Sequence, residues 1–500
     1  MQEWADYIQI LKDIVFRKEI ESYIVGGTLR DLFLVRSIMD IDISVKQRVE
    51  ELARYFADKI EGSFVILDQE RKIYRVDKDK LRFDFTLMNG KNIKEDLARR
   101  DFTINAIAYP VYTETKDPSV IENLLLVFSK YRGLTDYKKD YKGIEGEDGV
   151  EIPVIQIMGS RLFEHIIDPF NGTSDLKHRK IRATQKDVFA EDPLRLWRAI
   201  RFKGQLDFEI EKETTMLMKK FSDLAAQPAR ERIREEFIKI LKVENTSQLI
   251  NYLEKEFGLL STIIPSISRM KTTGENKHHS EDAWTHSLLV LEALEEIIFD
   301  KNYRKHLDND KIYLLKMASI LHDIGKIATK SHRGEKIHYF GHEKVGAEMI
   351  SCLLKGLKYS REEVKFVKNI IKFHMRPMLL YIAQNLTDKG RHKFFRQAGS
   401  LTPTVLIHSL ADKTATMRIN QREDEIADYR EYINNMLNRY YMYKDRTEEL
   451  LLTGKELIEL FDIPEGPEIG ELINKLADAQ GSGVVKTKEE ALNFLKGISD

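Results

Sequence analysis

The chain has a single cysteine, Cys352, which excludes an internal disulfide and fits a reducing compartment. No apolar run is long enough to span a bilayer, and the charged N-terminal stretch lacks the apolar segment of a secretory leader. These absences predict a cytoplasmic protein with no membrane partner. Charge of one sign is also missing: the formal net charge is −1, so any contact with nucleic acid must come from local patches. What is present is ordinary globular material, 42% hydrophobic and 32% charged over 500 residues. At roughly 150 residues per domain that predicts three or four domains. Oligomeric state is not readable from these features.

The stretch Ile24-Val25-Gly26-Gly27-Thr28-Leu29-Arg30-Asp31, followed by Asp40-Ile41-Asp42-Ile43-Ser44-Val45, reads as strand, glycine turn, helix start and second strand. Asp40 and Asp42 are spaced i, i+2, so both leave the same face of a strand. Two such carboxylates suit hard divalent cations beside a phosphate. Gly26 and Gly27 let backbone N–H groups approach an anion at a helix N-terminus, with Arg30 one turn on. Residues 64–67, 72–76 and 81–86 read as further short strands. Asp84 stands between Phe83 and Phe85 and faces away from both. If its strand lies beside the first pair, Asp84 adds a third carboxylate; a solvent-facing edge residue is the equal alternative.

Arg99-Arg100-Asp101-Phe102-Thr103-Ile104-Asn105-Ala106 alternates polar and apolar positions. Arg favours phosphate, and Asp or Asn accepts from ribose hydroxyls. Further on, Pro193 suits a first helical turn, with Asp192 as its cap. Arg195 and Arg198 lie within roughly 120° of Asp192 on that helix, and Arg201 turns further away. Structurally these residues make a cap and a solvated face. Chemically, a carboxylate accepts from the amino group of cytosine or adenine while Arg donates to the neighbouring ring atom. Uracil and guanine would leave the acid unpaired, a mismatch that rejects strongly.

The G-G-x-x-R-D, D-x-D and R-R-D-F-T-x-N-A elements resemble the class II tRNA nucleotidyltransferase/poly(A) polymerase family, which includes enzymes that add the terminal CCA of tRNA. The resemblance implies an α+β fold, in which a head with a small mixed sheet precedes an all-helical remainder. It implies Mg²⁺ at Asp40 and Asp42 and nucleotide contacts at Gly27, Arg30 and Arg100. The reading of the residues adds Asp84 to the catalytic set and Gly26, Asp101 and Asn105 to the nucleotide contacts. Asp192 and Arg195 become the selector for CTP and ATP, with Arg198 and Arg201 as further contacts and tRNA as the partner. Val35, where family members often have Gly, and Ser37-Ile38-Met39 depart from the family pattern without removing a needed chemical group.

A second set of reactive residues follows. His286 precedes His322-Asp323-Ile324-Gly325-Lys326, with His338, His342, His374 and Asp412 downstream. Several histidines and two aspartates on convergent helices make a divalent-metal site that activates water against a phosphate, and Lys326 would steady the phosphate charge. The pattern resembles the HD-domain phosphohydrolase superfamily, which implies His286, His322, Asp323 and Asp412 as metal ligands. Whether His342 and His374 hold a second ion stays open. Lys/Arg at 361, 365, 368 and 372, then 391, 393 and 396, form a basic stripe that either tracks RNA or is a solvated face.

The expected organisation is a head over 1–170 with an insertion at 111–162, a neck over 171–275, an HD-type domain over 276–430 and a helical tail over 431–500. The predicted function is template-independent addition of C and/or A to tRNA 3′ ends, with a phosphohydrolase as second activity. The alternatives are CC-only or A-only addition, poly(A) synthesis, or chiefly a phosphohydrolase whose head binds RNA.

Overall fold

The computed structural model describes residues 3–34, 36–112, 165–273, 282–334, 336–383, 388–420, 422, 424–462, 464 and 466–499. Val35 and nearly all of the 111–162 insertion lie outside them. The chain forms two compact units, Met1–Gln227 and Pro228–Asp500.

The first unit is built on a six-stranded mixed sheet in the order β3-β4-β5-β2-β1-β6. The strands are β1 (Ser22–Val25), β2 (Asp40–Val45), β3 (Ser63–Asp68), β4 (Ile73–Lys78), β5 (Leu81–Leu87) and β6 (Ala108–Tyr112). Helix α1 (Glu3–Arg17) precedes them, α2 (Gly27–Phe33) follows the glycine turn, and α3 (Val49–Ile60) follows β2. Phe83 and Phe85 leave β5 on one face and pack on Phe56 of α3, at centroid distances of 5.0 and 5.5 Å. Each such buried aromatic stabilises by about 1.5–3 kcal/mol relative to exposure. Because side chains alternate along a strand, burying these phenylalanines turns Asp84 to the opposite face. The β2–β5 pairing is parallel and sets Asp42 opposite Asp84 and Asp40 opposite Arg82. Helix α4 (Ile93–Ala98) lies between β5 and β6, and α5 (Gly172–Lys177) and α6 (Leu194–Leu206) follow the sheet.

The second unit is helical apart from a small hairpin. Its functional part contains α7 (Ala283–Phe299), α8 (Ile312–Leu321), α9 (His342–Gly356), α10 (Arg361–Phe373) and α11 (Thr402–Ile419). The hairpin pairs Ser331–Arg333 with Lys336–His338. Helix α8 is buried from Leu314 to its end at Leu321, so a buried segment delivers His322 and Asp323 into the interior. Gly325 is required by packing: a Cβ there would stand 2.0 Å from the carbonyl oxygen of His342. The C-terminal helices close on their own core, which includes Leu457, Leu476 and Leu495. Among the described residues, no helix is long and apolar enough to cross a membrane.

Candidate functional site

In the first unit the glycine turn and the acidic strand face meet. Gly26 has φ +64°, and a Cβ on it would approach Arg100 Nη1 to 2.6 Å; one on Gly27 would stand 3.3 Å from Asp42 Oδ2. Glycine therefore lets the turn backbone lie against Asp42, Arg30 and Arg100. Thr28 clips the strand in place: its hydroxyl accepts from Asp42 N (2.8 Å) and donates to the Asp40 carbonyl (3.3 Å). Asp42 is partly buried, whereas Asp40 is exposed.

Two arginines hold the outer carboxylates. Arg75 donates to both oxygens of Asp84 at 2.7 and 2.8 Å, and Arg82 lies 2.5 Å from Asp40. Hence no three candidate ligand atoms of this set lie within 4.8 Å of one another. Burial raises the Asp42 carboxyl above the usual range; the Arg100 charge opposes this, and Asp84 and Asp40 reinforce it. Three acidic groups on one sheet face supply hard oxygen donors, and a divalent cation would relieve the strain on ionised Asp42. The donor chemistry fits such an ion.

A hydrogen-bond chain runs from α2 to α6. Arg30 Nη1 donates to Asn105 Oδ1 (2.8 Å), Asn105 Nδ2 donates to Asp101 Oδ1 (3.0 Å), and Arg198 Nε donates to Asp101 Oδ2 (2.7 Å). Burial alone would raise the Asp101 carboxyl, but Arg198, Asn105 and the Phe102 N–H outweigh it and hold it at about 2. The guanidinium groups of Arg30, Arg198 and Arg201 lie 5.0, 5.4 and 4.1 Å from the Phe202 ring centroid. Helical angle alone turns Arg201 away, yet it joins this cluster. Arg100 donates to Asp96 (3.3 Å), while its Nε is buried without a hydrogen-bond partner among the described residues. Arginine side chains gathered in this way offer the kind of donors that bind anions.

Asp192 and Arg195, the predicted selector pair, bond instead to nearby backbone. Asp192 Oδ1 accepts from Leu194 N at 3.1 Å, capping the start of α6. Arg195 donates to the carbonyl oxygens of Val188 (3.1 Å) and Arg99 (2.6 Å) and lies 3.4 Å from Glu191.

In the second unit, His286, His322, Asp323, His342, His374 and Asp412 form three overlapping ligand groups, each within 4.8 Å. His286 Nε2 is 3.0 Å from Asp412 and 3.9 Å from Asp323. His322 and His342 Nε2 atoms each lie 3.3 Å from Asp323. Nδ1 of His322, His342 and His374 faces the carbonyls of Ser319, Tyr339 and Ile371 at 2.9, 2.8 and 2.7 Å. Each Nδ1 therefore donates to its carbonyl, which turns each Nε2 towards the shared centre. That is the test of fit for a divalent metal, and these residues meet it. Burial would raise the Asp323 carboxyl, but Lys326, His322 and His342 drive it well below the usual range. Lys326 lies 2.6 Å from Asp323. His338 lines the adjoining cavity.

One residue escaped the sequence reading. His408 is fully buried, its ring 5.4 Å from that of His322 and 6.2 Å from that of His374. Neither of its ring nitrogens has a hydrogen-bond partner among the described residues, and burial lowers its pKa to about 3. Its i, i+4 spacing from Asp412 was the available signal. The basic stripe is partly neutralised: Lys368 pairs with Glu348, Arg391 with Asp388 and Arg396 with Asp478.

Comparison with known proteins adds three family matches. Residues 22–124 match the Poly A polymerase head domain, 207–271 the probable RNA and SrmB-binding site of polymerase A, and 283–417 the HD domain. An A-adding tRNA nucleotidyltransferase of Deinococcus radiodurans is 28% identical, over 95% of this chain and 94% of its own. A CC-adding tRNA nucleotidyltransferase of Thermus thermophilus is 26% identical, over 97% and 95%. The solved Thermotoga maritima CCA-adding enzyme complexed with tRNA shares the fold with a TM-score of 0.61 and 20% identity, covering 99% of this chain and 95% of that one.

Proposed function

Because the chain belongs to the class II tRNA nucleotidyltransferase/poly(A) polymerase family, we propose that it adds C, A or both to tRNA 3′ ends from CTP and ATP without a nucleic-acid template. The observation that carries this reading is the junction of Asp42 and Asp84 with the Gly26–Gly27 turn, Arg30 and Arg100. Asp40 and Asp42 would hold Mg²⁺. When bound, the ion lowers the cost of the charge that develops at the attacking hydroxyl and departing pyrophosphate. The protein's own share is positioning. The Gly27 N–H, Arg30 and Arg100 receive the triphosphate, and Asp101 and Asn105 keep Arg30 and Arg198 aimed at it. Asp192 and Arg195 select C and A by accepting from the exocyclic amino group and donating beside it. To do so, Arg195 exchanges the Arg99 and Val188 carbonyls for a base.

We assign the head to 1–170, the neck to 171–275, an HD-type metal-dependent phosphohydrolase to 276–430 and the tail to 431–500, with action in the cytoplasm. The test incubates the protein with tRNAs ending before CCA, after C and after CC, offers each NTP with Mg²⁺, and sequences the products. Extension by C and A alone supports the proposal; no extension of any substrate overturns it. Relatives named for A addition and for CC addition make partial addition the second reading, and the same products separate the cases.

A further inference from the structure

The helical unit holds a second cavity, of about 520 Å³, within the roughly 300–1,000 Å³ of a small-molecule site. It shares no described lining residue with the cavity beside the metal-ligand cluster. The segment that follows α8 divides the two: Asp323 lines the cavity at the cluster, and Ile324 lines this one. Arg230, Ile263 and Ser266 reach it from the neck segment, and Met349, Cys352 and Leu353 from α9. Seams between segments of this kind are where ligand cavities concentrate.

The lining has a definite character. Ile263, Ile324, Met349, Leu353 and Leu357 make the walls aliphatic. Among the described residues lining it, Arg230 is the only charged one and none is aromatic. The Arg230 Nη1 atom is buried, yet no described residue accepts a hydrogen bond from it. A buried charged donor without an acceptor is costly, and an anion brought to it recovers that cost. One cation matches one negative charge. A doubly charged phosphate would find no second cation here, and a nucleobase would find no ring to stack on. Arginine pairs with a carboxylate through a fork of two N–H donors, and aliphatic walls take an aliphatic body.

We propose that this cavity binds an aliphatic monocarboxylate, with its carboxylate on Arg230 and its chain against Ile324, Met349 and Leu353. The site is separate from both reaction centres described above. Cys352 is the single cysteine of the chain, is exposed, and lines the cavity, so its thiol reports occupancy at this place alone.

The full chain is titrated with octanoate and, separately, with the neutral octanol, while alkylation of Cys352 by N-ethylmaleimide is followed by mass spectrometry. Octanoate should suppress alkylation at a concentration about tenfold or more below that needed by octanol, the scale of a hydrogen bond to a charged group. Equal protection by the two, or none by octanoate, overturns the inference. Arg230→Met removes the charge and keeps an unbranched apolar stem. It should weaken octanoate binding about tenfold or more in calorimetry and leave octanol binding unchanged. A loss shared equally by both ligands marks Arg230 as merely structural and also overturns the inference. If Arg230→Met fails to fold, the protection of wild-type Cys352 decides by itself.

Discussion

His342 Nε2 and His374 Nε2 face each other at 3.3 Å, while each ring gives its Nδ1–H to a backbone carbonyl. Burial, with His342 and His322 adding to it, holds the His374 pKa well below the usual range, so the His374 ring is neutral near neutral pH and its Nε2 offers a lone pair to the centre that His342 also faces. A divalent ion fits such donors.

Adding Mn²⁺ to metal-free protein should therefore raise its melting temperature. At an ion concentration a hundredfold above Kd the gain is about 2.7 kcal/mol. His374→Ala should lose most of this gain; a variant melting curve that rises as much as wild type would count against the site.

Asp40→Ala combined with Asp42→Ala should lower nucleotide incorporation by about a thousandfold or more, the scale of several kcal/mol of lost charge stabilisation. Binding of tRNA, measured by filter retention, should persist. Retained incorporation would remove these residues from the catalytic role.

Asp192 carries two roles that one substitution confuses. Its carboxylate caps α6, so Asp192→Ala should cost about 1 kcal/mol of stability as well as blur selection against UTP and GTP. Asp192→Ser keeps a capping oxygen but lacks the carboxylate. Competition between NTPs should show lost selection in both variants, while urea unfolding should show the larger stability loss in Asp192→Ala.

Asp101 makes a pH prediction. Its folded pKa of about 2 lies below the ordinary aspartate value of 3.8, so the charged form is preferentially stabilised in the folded protein. That stability is present above the unfolded pKa and is lost as pH falls from about 4 towards 2. It amounts to about 2 kcal/mol for this buried group. Urea unfolding of wild type and Asp101→Asn at pH 6 and pH 3 should show the gap between them narrowing at the lower pH.

His408 leaves two buried ring nitrogens without partners among the described residues. Replacing it by leucine should raise the stability of the metal-free protein by about 1 kcal/mol, because an unpaired polar group gives way to an apolar one. A loss of bound metal in the same variant would instead mark His408 as part of the ion site.

Much of this was written in local sequence. The i, i+2 spacing of Asp40 and Asp42 places both on one strand face, and Phe83 and Phe85 demand burial and so turn Asp84 the other way. His322-Asp323 at the end of an apolar helix declares a buried polar pair that needs a partner. These features follow from periodicity and desolvation, which act over a few residues. Tertiary structure alone decided that β2 and β5 run parallel with Asp42 across from Asp84. It also decided that Arg75 and Arg82 guard the outer acids, that Arg30 reaches Arg198 through Asn105 and Asp101, and that His408 sits beside His322. Each of those pairings is made between segments distant in the chain, where register and helix packing choose the partner and local pattern carries no record of it.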